Sequence, residues 1–159
     1  MATETEHMDV DFCKKYTAKL QEKVVLSANG QCQLWTGCKK GKFSDYGVIN
    51  CRFECGYRTV TVHRLSYMLE HKMTRVEPGL DASHLCHNSL CLTASHISME
   101  PHSINNNRQY CVSQNVCFGH APYPKCMLQF KVFQWQCNSK TYIFLDVLNP
   151  SVFSKCRLL

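Results

Sequence analysis

Cys86, Cys91 and His96 stand in the run Ser83-His84-Leu85-Cys86-His87-Asn88-Ser89-Leu90-Cys91-Leu92-Thr93-Ala94-Ser95-His96, each separated from the next by four residues. Two soft thiolate donors and an imidazole at this spacing suit a tight loop wrapped on a tetrahedral zinc ion, which leaves one coordination position for a residue from elsewhere in the chain. His84 falls just outside the wrap. A histidine beside a rigid zinc loop can be held in one orientation without ligating the metal, which is what a water-activating base requires.

The chain has twelve cysteines in 159 residues, a density that small domains reach through disulfides or through metal. The first twelve residues are polar and acidic, and no later stretch approaches the roughly 18 consecutive apolar residues of a membrane helix, so the expectation is an intracellular protein with reduced thiols. Cysteines interleaved with histidines at short spacing then favour zinc over a disulfide framework. For the fourth ligand of the first site the candidates are Cys32, Cys38, Cys51 and Cys55. A second set, Cys111-x5-Cys117-x2-His120-x5-Cys126, is complete by itself. Both sets offer four protein ligands and no open position, so both are expected to be structural. At this length and 45% hydrophobic residues, one compact domain over residues 1–159 can bury about two thirds of its unfolded surface.

Charge is unevenly distributed. Residues 1–38 hold four Lys/Arg against five Asp/Glu, residues 39–75 eight against three, and residues 76–159 six against four, so nearly all of the net +6 lies in the middle segment. A local basic excess of this kind is the footprint of a phosphate-backbone partner. Residues 46–64 in that segment read as a β-hairpin turning at Glu54-Cys55-Gly56. Alternation puts Ile49, Cys51, Phe53, Val60 and Val62 on a buried face and Asn50, Arg52, Tyr57, Thr59, Thr61 and His63 on the other. A two-stranded ribbon fits the DNA major groove, and Asn, Arg and Thr side chains can meet base edges there.

The remaining organisation is coarser. Residues 9–26 read as a helix, with Phe12, Tyr16 and Leu20 on one stripe and Lys14, Lys15, Lys19 and Lys23 elsewhere. Helical character resumes after the hairpin with Leu65, Met68 and Leu69, and Pro78-Gly79 breaks the chain before the zinc run. Pro101 suits a helix start, so Ser103 to Tyr110 is expected to be a short helix carrying Asn105. The stretches Met127 to Trp135 and Tyr142 to Leu148 read as strands or extended segments of a C-terminal arm, residues 127–159.

The ordered series His84, Cys86, Cys91, His96, Asn105, Cys111, Cys117, His120 and Cys126, within the zinc and catalytic core of residues 83–126, resembles the His-Cys box homing endonucleases, a branch of the ββα-metal (His-Me finger) nucleases. A fainter likeness reaches back through Cys32-Gln33-Leu34-Trp35, Tyr46-Gly47-Val48 and His63-Arg64. The family often has Asn-Pro before the zinc histidine where this chain has Thr93-Ala94. The resemblance implies a small, loop-rich α+β domain stapled by two zinc ions, with an antiparallel hairpin and a ββα-metal motif. It favours Cys32 as the fourth ligand beside Cys86, Cys91 and His96. It further implies a metal-dependent, sequence-preferring double-strand DNA endonuclease that leaves 5′-phosphate and 3′-hydroxyl ends. His84 would activate water, Asn105 would hold one catalytic Mg²⁺, and the hairpin would read DNA and supply a phosphate-neutralising arginine. Arg52 is preferred over Arg58 for that role because it shares the groove-facing side, and Arg108 is a weaker candidate for a nearby backbone contact. Homodimers acting on near-palindromic sites and a nuclear location belong to the same expectation. The alternative is a zinc-stabilised DNA-binding module without catalysis; the presence of both His84 and Asn105 argues for the enzyme.

Overall fold

The computed structural model describes residues 8–41, 45–54, 56–128, 132–137 and 140–145, with backbone alone beyond residue 128. It opens on helix α1 (Val10–Gln21), where the Asp9 side chain accepts a hydrogen bond from the Phe12 backbone N–H at 3.2 Å. This N-cap satisfies one of the amides that a helix start leaves without a partner. Tyr16 and Leu20 are buried and Phe12 half-buried, while the four lysines stay in solvent. The helix ends five residues short of the expectation. Val24–Leu26 forms strand β1, paired antiparallel with β2 (Gln33–Trp35) so that Val24 faces Trp35. The adjacent β-branched Val24 and Val25 suit that pairing better than a further helical turn.

Strands β3 (Val48–Phe53) and β4 (Gly56–Thr61) make the anticipated hairpin, with Asn50 opposite Thr59 and Arg52 opposite Tyr57. Cys51 is fully buried and Ile49, Phe53 and Val60 pack against the core. Asn50, Arg52, Tyr57 and Thr59 are exposed and Thr61 is half-buried. The hairpin stops at Thr61, because the Val62 amide turns to the Gly47 carbonyl (3.0 Å) and helix α2 (Val62–Glu70) begins there. A side chain at Gly47 would run into the Trp35 ring and Val62, so only glycine lets the hairpin close on the helix. The apolar core gathers Tyr16, Leu20, Trp35, Cys51, Val62, Leu65 and Leu92. The Arg52 amide donates to the Tyr16 hydroxyl at 2.6 Å, tying the hairpin to α1.

The second half is a ββα unit. Strand β5 (Leu80–His84) pairs antiparallel with β6 (Ile97–Pro101), Asp81 facing Glu100 and Ser83 facing Ser98. A single 3₁₀ turn, Ala94–His96, leads into β6, and helix α3 (His102–Gln114) follows at once, ending on Asn115 in the left-handed conformation. The helix that carries Asn105 is thus longer than the expected eight residues. A last hairpin, β7 (Val132–Cys137) with β8 (Lys140–Leu145), lies in the segment read as an arm. The described residues hold four two-stranded antiparallel sheets and no helix long and apolar enough to cross a membrane. The fold is mixed α+β and loop-rich.

Candidate metal centres and active site

Backbone pairing assembles the first cluster. The amide of Trp35 donates to the Leu90 carbonyl (2.9 Å) and the amide of Leu92 to the Gln33 carbonyl (2.7 Å), which zips β2 onto the loop between β5 and β6. Cys32, immediately before β2, is thereby carried to Cys91 across a long stretch of chain. The loop itself turns tightly: His87 takes a positive φ of 56°, the Asn88 side chain accepts from the Leu90 amide at 3.0 Å, and the Leu85 amide reaches the His96 carbonyl at 2.7 Å. The donor atoms of Cys32, Cys86, Cys91 and His96 lie within 4.8 Å of one another, as do those of Cys111, Cys117, His120 and Cys126.

Distances test whether these groups fit zinc. With Zn–S near 2.3 Å and Zn–N near 2.0–2.1 Å, a tetrahedral site has an S···N edge of about 3.6 Å. His96 Nδ1 lies 3.6 Å from both the Cys32 and Cys91 sulfurs, and His120 Nε2 lies 3.4 Å from Cys111 and 3.3 Å from Cys126. Protonation points the same way. Burial pushes the Cys32 thiol up and Cys126 up to about 11, whereas the hydrogen bond from Cys86 holds Cys91 down at about 4, so neighbouring sulfurs share protons and full ionisation of a cluster calls for a compensating cation. The two Cys/His clusters fit two zinc sites.

Between the clusters lies a polar seam. Asp81 and Ser83 share one side of β5, Ser98 and Glu100 the matching side of β6, and α3 lies over them. Arg108 donates to both Glu100 oxygens, Nε to Oε1 at 2.7 Å and Nη2 to Oε2 at 2.6 Å, with both side chains essentially inaccessible. It also donates to the Pro124 carbonyl at 2.9 Å and toward the Cys126 sulfur at 3.5 Å. The expectation that Arg108 contacts a DNA backbone is therefore corrected: its charge is spent on Glu100, and it joins the helix to the second cluster. One helical turn earlier, Asn105 Oδ1 accepts from Ser83 Oγ at 2.9 Å and its Nδ2 donates to Asp81 at 3.0 Å.

His84, the last residue of β5, points to the opposite side. It is 8% exposed, and its Nε2 sits 3.1 Å from the Cys91 carbonyl oxygen. A carbonyl only accepts, so Nε2 carries the proton and Nδ1 keeps the lone pair. Burial lowers the His84 pKa and so favours the neutral ring, against the Cys91 carbonyl bond, which favours the charged one. His63 packs on it with ring centroids 4.5 Å apart, and the Tyr46 ring lies 5.2 Å from His63 and 6.2 Å from His84.

That contact corrects a second expectation. His63 belongs to α2, is 5% exposed and sits against His84, so it is not part of the hairpin's outer face. Burial first, then the charges of His84 and Arg64, lower its pKa to about 3. On the hairpin, Thr59 Oγ1 donates to Asn50 Oδ1 at 2.8 Å, and the Arg52 guanidinium lies 5.9 Å from the Tyr57 ring centre. Arg58 pairs with Cys51 and so belongs to the other face, although it too is exposed. Arg64, to which the residue pattern assigns no role, donates to the Leu80 carbonyl at 2.9 Å, and its charge reaches both Asp81 and His63. Asp81 and His102 are equally silent in the sequence, because one lies on β5 and the other opens α3, and only the fold brings them together.

A family model described as the zinc-binding loop region of homing endonuclease matches residues 31–147. No curated protein and no solved structure matches the chain. The matched span begins beside Cys32 and contains both clusters, His84 and Asn105.

Proposed function

Since the chain belongs to the family of the zinc-binding loop region of homing endonuclease, we propose that it is a metal-dependent, sequence-preferring double-strand DNA endonuclease in which His84 deprotonates the attacking water. The observation that carries this reading is the 3.1 Å contact between His84 Nε2 and the Cys91 carbonyl oxygen. Its Nε2 is committed to the Cys91 carbonyl, and that carbonyl belongs to a residue of the first cluster, so the cluster acts as the mount of the base. The buried ring is neutral at pH 7, with Nδ1 ready to take a proton from water and return it to solvent.

Asn105 would hold a Mg²⁺ ion through its amide oxygen, a hard donor suited to a hard cation. Such an ion, when bound, supplies charge stabilisation for the scissile phosphate and the departing 3′ oxygen. His84 and Asn105 stand on opposite sides of β5, and the scissile phosphate is read as lying within reach of both. Hydrolysis there leaves 5′-phosphate and 3′-hydroxyl ends. Asn50, Arg52, Tyr57, Thr59 and Thr61 form the DNA-facing side of the hairpin, with Arg52 neutralising phosphate charge. A homodimer would cut one strand with each subunit.

The test is cleavage of a random-sequence plasmid library by zinc-loaded protein with and without added Mg²⁺. Mg²⁺-dependent breaks enriched at a common sequence, with ligatable 5′-phosphate ends, are expected. Duplex binding without any cleavage would replace the enzyme by a DNA-binding module.

A further inference from the structure

The polar seam contains a hydrogen-bonded chain for which the reaction as described has no use. Asp81 Oδ2 accepts from His102 Nδ1 at 2.7 Å and from Asn105 Nδ2 at 3.0 Å, while Ser83 donates to Asn105 Oδ1 at 2.9 Å. Asp81 and Ser83 are two residues apart on β5 and so share a side; His102 and Asn105 are three apart on α3, neighbours on one helical face. Two elements thus converge on a single side-chain amide.

The chemistry of the two partners differs. A hydroxyl can donate or accept, so Ser83 alone would tolerate either end of the amide. A carboxylate can only accept, so Asp81 admits the nitrogen and excludes the oxygen. Turning the amide by half a revolution would set Oδ1 against the carboxylate and aim an NH2 group, which cannot ligate a cation, at the other side. The Ser83 bond uses one of the two lone pairs on Oδ1 and leaves the second free.

We propose that Asp81, braced by His102, is the positioning residue that fixes the Asn105 amide with its oxygen presented to a hard divalent cation. This rests on the reading of Asn105 as the cation ligand. Partners of a ligand that set its orientation typically change metal affinity or activity by about 10–100-fold when removed.

The experiment uses the full-length, zinc-loaded protein and Mn²⁺ as a spectroscopic stand-in for Mg²⁺. Mn²⁺ binding is followed by electron paramagnetic resonance, and the Asn105 side-chain NH2 signals by ¹⁵N NMR, assigned by their loss in Asn105→Ala. The isosteric Asp81→Asn can offer either an oxygen or an NH2 group. It should weaken Mn²⁺ binding about tenfold or more and shift the Asn105 amide signals, with zinc content unchanged. Asp81→Glu, which restores an acceptor-only group, should recover part of the affinity. Wild-type Mn²⁺ affinity in Asp81→Asn overturns the proposal, whether or not the variant melts earlier, because a merely structural role would lower stability and leave cation affinity alone. Unchanged Asn105 amide signals in that variant also overturn it. If Asn105→Ala binds Mn²⁺ like the wild type, the ligand reading itself fails and the proposal with it; a persisting amide shift in Asp81→Asn would identify that as the cause.

Discussion

Around α1, α2 and the β3–β4 hairpin the interior is apolar, with Tyr16, Leu65, Val62 and Cys51 almost wholly inaccessible. In the β5–β6–α3 unit the equally inaccessible side chains are Arg108, Glu100 and Ser83, together with Cys91 and Cys111 from the two clusters. The first region is stabilised in the ordinary way, by removing hydrocarbon from water at about 25 cal/mol per Å². The second has little hydrocarbon to bury. It is held by directional contacts, which fix atoms in place more narrowly than apolar packing does, and it is there that His84 and Asn105 stand. The proposed site, which has to orient an imidazole and an amide, would benefit from such a scaffold of ligands and hydrogen bonds, and the apolar half provides the platform on which the hairpin stands.

The comparison breaks most sharply under metal removal. Structural zinc contributes on the order of 10–16 kcal/mol per site, so stripping it should unfold the β5–β6–α3 unit and destabilise the remainder, since Leu92 joins the apolar core from the loop of the first cluster. Metal analysis should find two zinc ions per chain in the native protein, and hydrogen exchange after chelation should show the loss of protection concentrated in residues 80–114. The buried ion pair comes next. Glu100→Gln or Arg108→Met should each cost about 3–5 kcal/mol by leaving the partner charge uncompensated, whereas replacing both with apolar residues should cost less. Denaturant unfolding of the single and double variants measures the difference. A smaller effect is expected in the apolar half: Leu65→Ala should cost about 2–5 kcal/mol and leave zinc content at two ions per chain, which a melting curve with parallel metal analysis checks. The smallest is Asp9→Ala at the start of α1, at about 1 kcal/mol.

The same contrast separates what was legible in the sequence from what was not. Ligand spacing is a local property, so Cys86, Cys91 and His96, and the whole of the second cluster, stood out. Cys32 did not by itself: its approach depends on backbone bonds between β2 and residues 90–92, and only the family resemblance singled it out. The hairpin's alternation was readable through Thr61 but ran on falsely into Val62 and His63, because the first residues of a helix beginning directly at a strand end continue a period of two by chance. The helical pattern of residues 9–26 runs past the true end of α1 for the reverse reason, β1 being a short strand with no intervening breaker. Arg108 looked like a surface cation because the carboxylate that buries it, Glu100, lies on another element across the strand-to-helix turn. Asp81 was hidden by the same effect.

In the proposed mechanism His84 is a base mounted on the first cluster and not a part of that cluster. Single-turnover cleavage of a mapped site by His84→Ala, with zinc counted in the same preparation, tests this most directly. The account predicts two zinc ions per chain, duplex affinity like that of the wild type, and a cleavage rate lower by about 10²–10⁴. Cleavage at the wild-type rate, or loss of zinc from the variant, would contradict it.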